Sequence, residues 1–243
     1  MTTWWSRVVL LGAVAATALL PIGALGSRLG LWGIGTGIQF LRVGGWLAVI
    51  VALIALAAVA VAWRRRLPND LRASAIGLVI CLLAAGYVGQ LQYSFATVPP
   101  IHHVSTDTED PPPFIEVVGL RGTGSNSLDF DAETTAPLQA EFFPWVVPLT
   151  TPAPPEATFA KALAALQGMG LEIVAEHPQQ GLIEATATTF WFGFKDDVAV
   201  RVRPHPQGAL VDVRSVSRVG LSDGGVNAKR VGEILRRLAA EDH

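Results

Sequence analysis

Residues 198–219 read VAVRVRPHPQGALVDVRSVSRV, two runs in which apolar and polar side chains alternate, parted by Pro204-His205-Pro206-Gln207-Gly208. A period of two belongs to a strand with one buried face, and the Pro/Gly break marks a tight reversal. The stretch therefore predicts two antiparallel strands, 198–203 and 209–219. Alternation also sorts their side chains. With Val198, Val200, Val202, Val211 and Val213 turned to a core, Arg201 and Arg203 share the opposite face with Asp212, Arg214 and Arg218. That face admits two readings: a cross-strand ladder of ion pairs on a solvated sheet, or a docking surface for an anionic ligand or an acidic partner.

Working outward, two more strands are expected at 171–176 and 182–190, the second adding Glu184, Thr186 and Thr188 to the charged face. Lys195-Asp196-Asp197 is read as the junction before the next strand, where Asp residues bond their own backbone; the competing reading is a paired acid and base. A helix is predicted at 156–169, where Phe159, Leu163 and Leu166 repeat at helical spacing and Gly170 follows as a stop. A second is predicted at 225–240, burying Val231, Ile234, Leu235 and Leu238 behind Asp223 as N-cap. Short connections make the sheet an antiparallel meander with two helices on one face. Residues 155–243 thus form an α+β two-layer domain.

Residues 99–154 are a different kind of chain. Eleven of the sixteen prolines fall between Pro99 and Pro155, which excludes regular helix over most of this linker and leaves it extended and partly wrapped on the domain. Residues 142–149 (FFPWVVPL) are expected to form an edge or irregular strand, and 121–127 (RGTGSNS) a flexible loop.

Residues 1–98 hold three uncharged apolar runs, at about 8–27, 43–63 and 73–95, each long enough to span a bilayer. The glycine-rich 29–41 is expected to be a re-entrant or interfacial connector. Arg64, Arg65, Arg66 and Arg72 lie between the second and third runs against a single Asp70. Positive charge is retained in the cytoplasm, so this loop and the N-terminus are placed there and the C-terminal domain outside. Trp4, Trp5, Trp32, Trp46, Trp63 and Tyr93 fit an interfacial belt. The first run also fits a secretory signal ending at Ala24-Leu25-Gly26; cleavage there would leave the topology unchanged. Gly77, Cys81, Ala85 and Gly89 recur every four residues in the third run, a spacing that permits close helix packing, and Cys81 is the only cysteine. No disulfide or cysteine-ligated metal is implied.

The charge follows the same division. The first hundred residues carry seven Arg and one Asp, and the rest carry eleven Lys or Arg and nineteen Asp or Glu, inside a net charge of −2. A 16% charged content and a mean hydropathy of +0.42 exclude a disordered chain, and an acidic domain outside the cytoplasm argues against nucleic acid as a partner. Ser215 lacks a nucleophile elbow, and His102-His103 with Asp107, Glu109 and Asp110 does not specify a metal set. Neither a cofactor nor a catalytic residue is implied. The best candidate site is the turn from Gly220 into the final helix, where Arg214, Arg218 and Asn227 converge on helix N–H groups that favour an anion. Asp223 already occupies the anion position, and the alternative is a braced turn with Arg218 paired to Asp223.

The motifs Phe192-Gly193-Phe194-Lys195-Asp196-Asp197, Val211-Asp212-Val213-Arg214-Ser215-Val216-Ser217-Arg218-Val219-Gly220, and Ser222-Asp223-Gly224-Gly225-Val226-Asn227 with Arg230 resemble the signature of the domain of unknown function 1499 family. Residues 99–114 resemble its N-terminal motif, and the likeness spans about 99–240. Where many members read Asn-Cys-Val-Ser-Ser, this chain reads His102-His103-Val104-Ser105-Thr106, and Asp223-Gly224-Gly225 replaces the usual Asp-Leu-Gly. The resemblance implies a domain in a membrane-anchored form and no reaction. The combined expectation is a multi-pass protein of the inner or plasma membrane, in contact with membrane lipids. Its outer domain would bind or scaffold another membrane or envelope protein, as an accessory or assembly factor. The alternative is an enzyme or sensor for a small anionic ligand at the Arg214/Arg218/Asn227 turn.

Overall fold

The computed structural model describes residues 2–240, and the chain divides into two compact units: everything up to Tyr93 together with Phe190–Gly193, and the remainder from Ser94 onward. The first is built on α1 (Trp4–Arg28), α2 (Ile34–Arg64) and α3 (Pro68–Thr97), three helices long and apolar enough to cross a membrane. At 1.5 Å per residue they run to about 37–47 Å, more than the ~30 Å hydrocarbon core. Large side chains such as Leu11, Leu53 and Leu83 point outward, while Ala13, Ala48, Ala52 and Cys81 pack inside. In a bilayer, where lipid is as apolar as leucine, close packing of such small residues is what holds helices together. Gly77 of the expected stripe lies against Leu10 and Ala13.

The glycine-rich stretch is not a connector. Only 29–33 leave the helices, and Ile34 onward is continuous with α2, which puts Trp46 about three turns inside that helix and not at its end. Glycine here permits contact: a Cβ on Gly37 would lie 2.7 Å from the Gly23 carbonyl, and one on Gly44 3.0 Å from that of Ala16. The two backbones approach along this seam. Asp70, the one acid of the region, is buried at the start of α3, where its Oδ1 accepts from the Thr3 N–H at 2.7 Å and from the hydroxyls of Thr3 at 2.8 Å and Ser6 at 2.5 Å.

In the second unit six strands form one antiparallel sheet: β1 (His103–Ser105), β2 (Leu149–Thr151), β3 (Glu172–His177), β4 (Leu182–Thr188), β5 (Lys195–His205) and β6 (Gly208–Ser217). β3 to β6 are the expected meander. β1 and β2 share the free edge of β6, pairing with its C-terminal and N-terminal halves. Gly208 makes the second pairing possible, since a Cβ there would stand 2.3 Å from the Thr151 carbonyl oxygen. Two helices cover one face, α5 (Pro155–Gly168) and α6 (Val226–Ala239). Leu166, Val231, Ile234 and Leu238 from the helices meet Ile183, Val198, Val200, Val211 and Val213 from the sheet. Burial of a Val, Leu or Ile side chain stabilises by about 1.5–3 kcal/mol, and this layer is the main source of cohesion.

The proline-rich segment is more ordered than expected. It contains β1, a 3-10 turn at Val117–Leu120, and α4 (Ala132–Phe142), capped by Asp131 and continuous through Pro137. From α4 the buried Gln139 amide accepts the Ser105 N–H at 3.0 Å and donates to the Ser105 carbonyl at 2.8 Å, pairing the outer edge of β1 as a further strand would. Residues 142–149 do not form the expected strand. Pro144 and Pro148 lack the N–H a ladder needs, and only Leu149 reaches the sheet, while Phe143 and Val146 fill the core from an irregular path.

Candidate functional site

The sheet face away from the helices carries the expected arginines, and residues 106–131 lie across it as a strap. At one end, Arg201 stands opposite Asp212 in register. Arg201 reaches Asp110 at 2.9 Å and both Asp107 and Asp212 at 3.2 Å; Arg203 reaches Asp212 at 2.6 Å and Asp107 at 3.2 Å. Asp107 and Asp110 come from the strap, so these ion pairs fasten it to β5 and β6.

Arg214 lies at the centre and is buried. Its Nε donates to His103 Nε2 at 2.7 Å, Nη1 to the Pro112 carbonyl at 2.9 Å and Nη2 to that of Leu128, with the guanidinium 4.9 Å from the centre of the Phe114 ring. Burial first, and the Arg121 charge second, lower its pKa to about 10, and it remains charged at neutral pH. His103 is pushed down to about 2, by burial above all and then by the Arg214 charge, so it is neutral and offers Nε2 as an acceptor. On β4 the buried Glu184 carboxylate accepts the N–H groups of Ile115, Glu116 and Val117, each at 3.0 Å. A strand acid thus caps the strap's 3-10 turn.

At the far end Arg218 grips both oxygens of Asp197, at 2.9 Å from Nε and 2.7 Å from Nη2, and donates to the Leu120 carbonyl at 2.9 Å. Arg121 joins the same carboxylate, and Thr186 donates to it at 2.9 Å. Arg218 therefore pairs with Asp197 and not with Asp223. The Asp pair is no turn: β5 begins at Lys195, which places Asp196 and Asp197 on opposite faces of a strand. The 121–127 segment is held down as well, because the Asn126 amide donates to the carbonyls of Ser217 at 2.9 Å and Gly220 at 2.8 Å.

On the helix side the remaining motif residues meet. Asn227 accepts from Ser215 at 2.6 Å and from Arg230 at 2.6 Å, and donates to Ser217 at 2.9 Å and the His102 carbonyl at 3.0 Å. Arg230 continues to Asp196 at 2.7 Å. Asp223 is not itself the N-cap, a position held by Gly225. Its carboxylate nevertheless accepts the N–H groups of Gly225 and Asn227, both at 2.7 Å, and so closes the helix start. Burial raises its pKa, opposed by those two N–H bonds.

Arg201, Arg203, Arg214, Arg218, Asp223 and Asn227 do not converge on one point. They divide between two faces of the sheet and are engaged with neighbours, and an anion at Arg214 or Arg218 would have to displace strap carbonyls. The Ser215 and Ser217 hydroxyls are buried in the Asn227 network, and among the described residues no group of three His, Cys, Asp or Glu could hold a metal ion. Arg121, Asn126, His103, Gln139 and Glu184 complete these networks. Their signal was faint because backbone carbonyls and N–H groups supply most of their contacts. What stands outward at the Arg218 end is apolar: Val118 and Leu120 on the strap, Val219 and Leu221 beyond β6, with Leu221 82% exposed. No curated protein matches the chain. The network residues run from His103 to Arg230, and the family model for "Protein of unknown function (DUF1499)" matches residues 103–238, more than half of the sequence: the chain belongs to that family.

Proposed function

We propose that this is a membrane-anchored accessory or assembly factor, with its N-terminus in the cytoplasm and its C-terminal domain outside, that docks on another membrane or envelope protein. The orientation rests on the arginine-rich α2–α3 turn. The observation carrying the docking role is the distribution of free surface on the outer domain: the sheet arginines are spent holding the strap, while Leu120 and Leu221 stand exposed at the end where Arg218 and Asn126 tie their two turns together. Exposed apolar clusters on a rigid frame are the usual core of a protein interface.

The test is purification of the full chain in mild detergent with mass spectrometry of what travels with it. Leu120→Asp with Leu221→Asp should reduce recovery of a partner membrane protein at least tenfold, while Lys229→Gln, exposed on α6, should leave recovery unchanged. Equal recovery with the double variant overturns the reading.

A further inference from the structure

The turn between α2 and α3 holds an open cleft of about 680 Å3, lined by Arg64 and Arg66, by Trp63, and by the apolar Ala62, Leu67 and Leu71. The volume is that of a small-molecule site, and the lining is of two kinds, cationic and apolar. Both guanidinium groups are exposed and make no hydrogen bond or ion pair among the described residues, and the same holds for the side chains of the neighbouring Arg65 and Arg72. Asp70, the one acid of the first hundred residues, is buried and gives one carboxylate oxygen to Thr3 and Ser6, and it makes no ion pair with the four arginines, so among the described residues none of them is neutralised by a direct partner. Arg66 has φ +54°, the one non-glycine residue of positive φ among the described residues, and this left-handed turn carries its side chain into the cleft lining.

The cleft also stands where the apolar run of α2 ends, at the level where lipid headgroups meet a spanning helix. A ligand that fits must carry negative charge and apolar carbon together. We propose that the α2–α3 turn binds the headgroup of an anionic glycerophospholipid, its phosphate between Arg64 and Arg66 and its glycerol and first acyl carbons against Leu67 and Leu71. Basic pockets beside helix ends recognise such headgroups by charge and by the planar hydrogen-bonding fork of arginine.

The experiment is native mass spectrometry of the full chain in detergent, titrated with phosphatidylglycerol, phosphatidylcholine or inorganic phosphate. The wild-type protein should retain phosphatidylglycerol at least fivefold over phosphatidylcholine, and a tenfold excess of inorganic phosphate should not displace it. Arg64→Gln with Arg66→Gln should bring the ratio to about one, while Lys229→Gln should leave it unchanged. Arg66→Gly keeps the left-handed turn accessible, so it should fold at least as well as wild type and still lose most of the preference. Equal retention of both lipids by the wild type, or an undiminished preference in Arg66→Gly and the double variant, overturns the proposal. Displacement by phosphate alone assigns the cleft to a free anion and overturns it too.

Discussion

Around the α2–α3 turn, Arg64, Arg65, Arg66 and Arg72 are exposed with no carboxylate at ion-pair distance among the described residues, whereas Arg121, Arg201, Arg203, Arg214, Arg218 and Arg230 in the C-terminal domain are held by acids, carbonyls or an imidazole of the same domain. The residue type is the same and the physical role is opposite. An exposed guanidinium costs the fold little and faces whatever the surroundings offer. A buried one has given up its hydration and depends on its partners, so it organises the chain near it. In the C-terminal domain that means the strap: Arg201, Arg203, Arg214 and Arg218 each bond at least one atom from residues 103–131. A basic sheet face in the sequence is therefore a fastening in the fold, and the charge free to act outward lies in the other region.

The contrast breaks most sharply at Asp197. Its carboxylate is fully buried between Arg121 and Arg218, and Asp197→Asn would leave two guanidinium groups with no acid between them. Removing one partner of a buried pair costs about 3–5 kcal/mol. Thermal unfolding of the full chain in detergent, followed by tryptophan fluorescence, should show the largest loss of any variant considered, with residues 106–131 becoming susceptible to protease. A melting temperature equal to wild type would mean that the strap is held by backbone contacts alone.

His103 offers a smaller, pH-dependent version. Its folded pKa is about 2, while in the unfolded chain it titrates near 6.5. The folded state refuses the proton, so this stability is fully present above pH 6.5 and is lost as the pH falls below it, at up to about 1.4 kcal/mol per unit until the folded pKa is approached. From pH 7 to 5 the loss is about 2 kcal/mol. His103→Gln keeps an acceptor for Arg214 and removes the titration. Its stability curve between pH 7 and 5 should be flatter than wild type by about that amount, and an unchanged slope would show that His103 is not held neutral.

These contrasts also mark what the sequence could reveal. Alternation in 198–219 placed Arg201, Arg203, Asp212, Arg214 and Arg218 on one face; the three N-terminal helices follow from the length of their uncharged runs, and the helix-covered sheet from periods of 3.6 and two. Alternation could not reveal that the face is covered. The strap has no period, and it binds through the carbonyls of Pro112, Leu120 and Leu128 and the N–H groups of 115–117, which every residue except proline carries in full. Asp196 and Asp197 were misplaced for a narrower reason: β5 starts at Lys195, three residues before its first valine, and polar residues that open a strand look like a turn. The glycines of α2 were misread because close helix contact and loop flexibility call for the same residue.

The smallest expected effect falls on the exposed set, at Arg72. It lies in the second turn of α3 with no partner among the described residues, and a positive charge near a helix N-terminus opposes the macrodipole. Arg72→Gln should leave the stability of the detergent-solubilised chain unchanged or raise it by up to about 0.5 kcal/mol. The sign matters more than the size. Every sheet arginine replaced by a neutral residue should lower stability, because its partners remain buried; Arg72 should not, because nothing was arranged around it. A loss of more than about 1 kcal/mol would place Arg72 with the fastening arginines. The positive charge of the turn would then belong to the fold and not to what meets it at the membrane.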